Sequence, residues 1–203
     1  MTSFYHLFTA ALMALYIFVV PHTAQLTSKV VNHKTTDVLL AKKEFEDEEL
    51  IPWVAQRRLI WDDFLCEPKR NTDAVASTST TLGLAYQMTS HGFTYDISCN
   101  FSKLKSWGLV KTPYILAHEQ GHFDITELFA RKLYQAMANY PINVYTYKQD
   151  INDIYNRIVA EKEAFQAAYD GQTDHSRNKL VQIEWLKRIH QLLEETEVYA
   201  NYP

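Results

Sequence analysis

The sequence predicts an α+β protein, with a small antiparallel sheet in the N-terminal half followed by three helices. Three observations carry this. Asp73 to Phe101 is rich in threonine, serine and aromatic residues and is broken by a single turn signal. From Thr112 onward, apolar residues recur at helical spacing in three long runs, separated at Pro141 and at Asp170-Gly171. The first of those runs contains His118-Glu119-Gln120-Gly121-His122, the pattern H-E-x-x-H.

The chain has 203 residues, which suits one domain of catalytic size. Its 47% apolar and 22% charged residues are ordinary for a globular protein. A net charge of −4 provides no basic footprint, so nucleic acid is not the expected partner. The first 24 residues contain no Asp, Glu, Lys or Arg, and Phe4 to Val20 is almost continuously apolar. With Pro21-His22-Thr23-Ala24 as a cleavage region, this reads as a secretory signal peptide over residues 1–24. An uncleaved membrane tether is the alternative. In either case the remainder is expected to be exported. Residues 25–50 are polar, end in the charge run Lys42 to Glu49 and read as a flexible lead-in. Residues 51–203 form the domain proper. Cys66 and Cys99 are the only cysteines, and they suit a disulfide or two free thiols, but not a cysteine-based zinc site.

Arg57 to Phe64 looks like a strand entering a turn, with Trp61 and Phe64 as core anchors. Asp73 to Met88 favours strand through its threonines and aromatics. Ser90-His91-Gly92 marks a turn, and Phe93 to Phe101 alternates with period two, so the pair forms a hairpin. Ser106 to Val110 is a third strand or a loop. Thr112-Pro113 is a helix start, a capping hydroxyl followed by proline at the first helical position. That helix runs to about Asn139 and stops before Pro141, with Ile115, Ile125, Phe129 and Leu133 on the inward face. Gly121 at the edge of this face leaves room for close packing. The second helix spans about Lys148 to Tyr169, with Ile151, Ile154, Tyr155, Ile158 and Phe165 inward and Asp170-Gly171 as its stop. The third spans about Arg177 to Tyr199 and carries Leu180, Ile183, Leu186, Ile189 and Leu193.

At about 100° per residue, His118 and His122 stand one turn apart on one helix face, where both imidazoles can reach a single metal ion. Glu119 stands about 100° round the cylinder from His118, a position for a base beside the metal's water rather than for a ligand. A catalytic zinc ion takes three protein ligands and keeps one position open. Asp124 lies about 200° from His122, and Glu127 about 180° from His118, so both face away and read as exposed charges. His33 belongs to the lead-in, His91 to a turn and His190 to the third helix. His175, in the polar turn Tyr169 to Ser176, is the preferred third ligand, and Glu161 or Glu163 on the second helix is the competitor. Tyr169 is a candidate donor to a developing oxyanion, although a core tyrosine at a helix end is the plainer explanation.

His118 to Ile125, together with Trp61-Asp62-Asp63-Phe64 upstream and Tyr169-Asp170 to Thr173-Asp174-His175 downstream, resembles a bacterial family of uncharacterised proteins described as predicted secreted zinc-dependent proteases. The resemblance covers about Leu59 to Leu193. It implies a zincin-like metallopeptidase domain with the H-E-x-x-H motif on the first long helix, one zinc ion, and a protein or peptide substrate. Glu119 would be the general base. The alternatives are a zinc-binding structural or adhesive protein without catalysis, and a zinc hydrolase acting on non-peptide bonds.

Overall fold

The structure is a computed structural model, and it describes residues 49–69 and 72–203. The expected signal segment, His33 and the lead-in up to residue 48 lie outside the described residues. No helix among the described residues is long and apolar enough to cross a membrane.

The α+β reading holds: an antiparallel sheet in the N-terminal half is followed by three helices. Strands β1 (Leu50–Pro52), β3 (Thr80–Thr89) and β4 (Gly92–Ser102) form an antiparallel sheet in the order β1-β4-β3. The hairpin β3–β4 has Thr89 opposite Gly92, and Gly92 at φ 122° supplies the left-handed residue that the turn needs. Two short strands, β2 (Ala76–Ser77) and β5 (Trp107–Gly108), pair separately.

Helix α1 (Pro113–Ala138) begins as its sequence requires, with Thr112 Oγ1 accepting from the Ile115 amide at 3.2 Å and proline at the first position. Trp61 anchors this start. Its indole donates to the Thr112 carbonyl at 3.3 Å, and its ring lies so close to Gly108 that an added Cβ there would stand 2.5 Å from it. Helices α2 (Tyr147–Thr173) and α3 (Lys179–Glu195) pack on α1 and on each other. The sheet packs on α1 as well, through Phe101 against Phe123 and a 2.7 Å hydrogen bond between Thr80 and Thr126. Helix α1 is therefore enclosed on several sides. Ile115, Ile125, Phe129 and Leu133 are all buried, as the inward stripe requires.

Four local expectations need correction. Arg57 to Ile60 forms no strand. The Leu59 amide donates to Gln120 Oε1 at 2.7 Å and the Ile60 amide to Asp63 at 2.8 Å, so side chains take the bonds a ladder would need. Trp61–Asp63 is a single 3₁₀ turn, held by the two-pronged Arg57–Asp63 pair. Asp124 and Glu127 do face away from the histidines, yet they are buried rather than exposed. Asp124 accepts from Trp53, Arg58 and Gln120, and Glu127 accepts from Arg131 and Tyr202, because the far side of α1 is also covered. On α3, Leu180 and Ile183 are exposed, and the core face is Gln182, Trp185, Ile189 and Leu193. The helix starts only after Asn178, whose side chain caps the Val181 amide.

The last correction bears on the site. Gly171 does not end α2, which continues to Thr173 and is capped by Asp174 in the left-handed conformation. A glycine inside a helix costs about 1 kcal/mol. The terminus is closed beyond it, by Thr173 Oγ1 donating to the Tyr169 carbonyl and by the His175 amide donating to the Asp170 carbonyl. Asp170 is thus a helical residue. Asp174, His175 and Ser176 have φ of 49°, 49° and 72°, and such left-handed non-glycine residues cost about 1 kcal/mol or more each. Cys66 and Cys99 are both free thiols.

Candidate metal centre

The site is assembled where α1 and α2 cross. Gly121 sets their separation: an added Cβ would stand 2.5 Å from the Tyr169 hydroxyl and 3.1 Å from Leu186. With only hydrogen there, the fully buried Tyr169 lies against α1 and donates to the His118 carbonyl at 3.2 Å. Its ring stacks on His118 at 4.5 Å and 20°. The next residue along α2, Asp170, then reaches both histidines.

Asp170 Oδ1 lies 3.2 Å from His118 Nε2 and 3.0 Å from His122 Nε2. The three donor atoms lie within 4.8 Å of one another. Two donors on one tetrahedral zinc ion are about 3.4 Å apart, given bonds of about 2.1 Å. The observed separations are of that size. His₂Asp, two neutral nitrogens and one anionic oxygen, is also a donor set that suits zinc.

The hydrogen bonds around His122 sharpen the point. Gln166 Nε2 donates to the His122 carbonyl at 2.9 Å and towards Thr126 Oγ1, which leaves Gln166 Oε1 as the acceptor facing His122 Nδ1. Nδ1 therefore carries the proton and donates it to Gln166. In neutral His122 the lone pair of Nε2 must then face the carboxylate at 3.0 Å. Two acceptors at that distance repel unless a proton or a metal cation lies between them. Burial works against charge on His122, but Asp170, Glu119 and Gln166 outweigh it, so its pKa stands above the ordinary value. Burial alone would raise the Asp170 carboxyl; the two imidazoles overcome this and hold it below the usual carboxylate range. Both shifts follow from the mutual attraction of a charged imidazole and a carboxylate held this close.

His118 is oriented differently. Its Nδ1 is buried without a hydrogen-bond partner among the described residues, so stacking on Tyr169, rather than a bond to its far nitrogen, fixes the ring. Glu119 is buried at 4% exposure, and its carboxylate makes no side-chain hydrogen bond among the described residues. Its charge helps to raise the pKa of both His122 and Tyr169.

The remaining sequence candidates stand elsewhere. His175 is outside the three-donor cluster, with Nδ1 3.7 Å from Asp170 Oδ1 and a side chain 61% exposed. Glu161 pairs with Lys132, and Glu163 with Lys162, and neither belongs to the cluster of His118, His122 and Asp170. His190 is exposed beside Glu194, and His91 lies in the hairpin turn. Tyr169 has its hydroxyl committed to the His118 carbonyl, and burial, with the Glu119 and Asp170 charges, pushes its pKa far up, so it acts on the imidazole as a support. Sequence reasoning did not bring Asp170 and Gln166 to the histidines, where the structure places them. A signal existed: Gln166, Tyr169, Asp170 and Thr173 share one stripe of α2, visible once the helix is carried through Gly171.

A family model matches residues 67–176, more than half of the chain, and its description is "bacterial protein of unknown function (DUF922)". The chain belongs to this family. The matched span holds His118, Glu119, His122, Asp170 and His175, and it stops short of α3. No curated protein and no solved structure matches the chain.

Proposed function

We propose that this member of the DUF922 family is an exported zinc-dependent hydrolase acting on peptide bonds, with zinc held by His118, His122 and Asp170. The observation that carries this reading is the convergence of two imidazole nitrogens on one carboxylate oxygen, at 3.2 and 3.0 Å, beside the buried Glu119. Export rests on the apolar first 24 residues, and peptide cleavage on the resemblance carried by the motif.

Zinc at such a site supplies Lewis acidity, polarising a carbonyl and lowering the pKa of water towards about 7. The protein's own residues do the rest. Glu119 accepts a proton from the attacking water and returns it to the nitrogen of the leaving amine, so the carboxylate is regenerated with each turnover. Gln166 holds the His122 tautomer that presents Nε2 to the metal, and Tyr169 holds the His118 ring. Asp170 brings the negative charge that offsets part of the cation's own. Tyr169 serves as a positioning residue in this scheme, and a bound zinc ion would supply the polarising field for a developing negative charge.

Glu119→Gln separates chemistry from metal binding. The variant should keep wild-type zinc content while cleavage of a broad peptide library falls about 10²- to 10⁴-fold. Asp170→Ala should lose both zinc and activity. Peptide cleavage by the Glu119→Gln variant at the wild-type rate, or full zinc occupancy without Asp170, would sink the assignment. A wild-type protein that holds zinc but cleaves no peptide would restrict the reading to metal binding.

A further inference from the structure

The most strained stretch of backbone among the described residues lies directly beside this centre. One left-handed residue is enough to close a helix, and Asp174 provides it. His175 and Ser176, also at positive φ, are not needed for that purpose. The left-handed Asp174 by itself brings the His175 amide to the Asp170 carbonyl at 2.9 Å, and the positive φ of His175 goes with a side chain whose Nδ1 stands 3.7 Å from the Asp170 carboxylate. Ser176 is buried, and the Asn178 amide bonds back to the Thr173 carbonyl at 2.8 Å, so the backbone is fixed on both sides. The imidazole between these anchors is 61% exposed. A separation of 3.7 Å is too long for a hydrogen bond. It is close to the spacing of about 3.4 Å between neighbouring donors on one tetrahedral zinc ion. Backbone strain that persists next to a cluster of donors is characteristic of residues held for function.

On the zinc reading of His118, His122 and Asp170, on which this step rests, we propose that His175 is a displaceable fourth protein ligand. Turned inward, it completes the coordination of the resting centre and keeps the fourth position from water. Turned outward, it yields that position, with no movement of the backbone. Access to the centre is therefore set by one side chain on a rigid turn, not by a hinged loop.

The test uses the full chain with Zn²⁺ and Co²⁺ as probes. Zinc affinity is measured by competition with a chromophoric chelator, and coordination by the visible absorption of the Co²⁺ form. The variants are His175→Asn and His175→Gly, both of which tolerate a left-handed φ, with thermal melts to establish that they fold. Both should bind zinc about tenfold or more weakly than wild type. The Co²⁺ bands should change in both, and imidazole added to the glycine variant should restore the wild-type spectrum. If wild type binds zinc and both folded variants match it in affinity and spectrum, the assignment of His175 fails while the three-ligand centre stands. If wild type takes up no zinc, the metal reading fails and this one with it.

Discussion

Gly121 decides more about the site than its lack of a side chain suggests. Alanine is the better helix former by about 1 kcal/mol, so propensity alone favours Gly121→Ala. Packing reverses that sign, because the new methyl would stand 2.5 Å from the Tyr169 hydroxyl and 2.9 Å from its ring carbon. Gly121→Ala should destabilise the protein by about 1–3 kcal/mol in urea unfolding and, on the proposed zinc reading, weaken zinc binding, since α2 carries Asp170 away as it yields. Adding Tyr169→Phe removes the nearest atom of the clash and should recover part of the loss. Strict additivity of the two substitutions would show that they do not meet across the helix pair. The sequence made Gly121 and the two histidines legible, since each depends on local spacing along one helix. Asp170 was not legible, because Asp-Gly is ordinarily a helix stop and here the helix runs through it.

At the scale of elements, the start of α2 offers a clean titration. Asp150 in its first turn accepts from the Tyr140 hydroxyl at 2.6 Å and from Thr146 at 2.7 Å. The Tyr140 bond, then the Thr146 bond, lower its pKa below the ordinary 3.8. A carboxyl lowered on folding adds stability above its unfolded pKa, and that stability is lost as pH falls through the folded value. Asp150→Asn should therefore be less stable than wild type from about pH 4 upward, with the gap closing in more acid solution. Urea midpoints measured from about pH 2 to 7 follow this; a gap that widens on acidification contradicts the assigned bonds. Such pairs, like the side-chain bonds that replace a strand at Leu59 and Ile60, escape a periodicity argument because their partners are not repeated along the chain. The hairpin and α1 were readable for the opposite reason: alternation, a turn signal, a cap and a proline stop are all local.

The molecule as a whole is organised around a helix that has almost no solvent side in its middle. A helical wheel has one apolar face, and the sequence therefore assigned Asp124 and Glu127 to solvent. Tertiary enclosure overrode that, and buried polar partners answer it. Arg131, 2% exposed, bonds to Glu127 at 2.8 Å and to the Leu193 carbonyl at 2.7 Å, joining α1 to the end of α3. Arg131→Met leaves the Glu127 carboxylate buried with Tyr202 as its remaining partner, and should cost about 3–5 kcal/mol. The double variant Arg131→Met, Glu127→Leu should recover much of this, because no buried charge is then unpaired. Equal loss in the single and double variants would mean that shape, not charge, sets the penalty.

The layering behind the histidines also makes the protein its own optical gauge. Trp185 packs on Tyr169 with ring centroids 5.6 Å apart, and Tyr169 is the ring stacked on His118. An open-shell ion such as Co²⁺ at the histidines would sit two aromatic layers from an indole, close enough to quench its emission. Titration with Co²⁺ should dim the fluorescence of wild type in proportion to occupancy, and Trp185→Phe should remove most of that response. Loading of the proposed centre could then be followed by light alone, before any substrate is in hand.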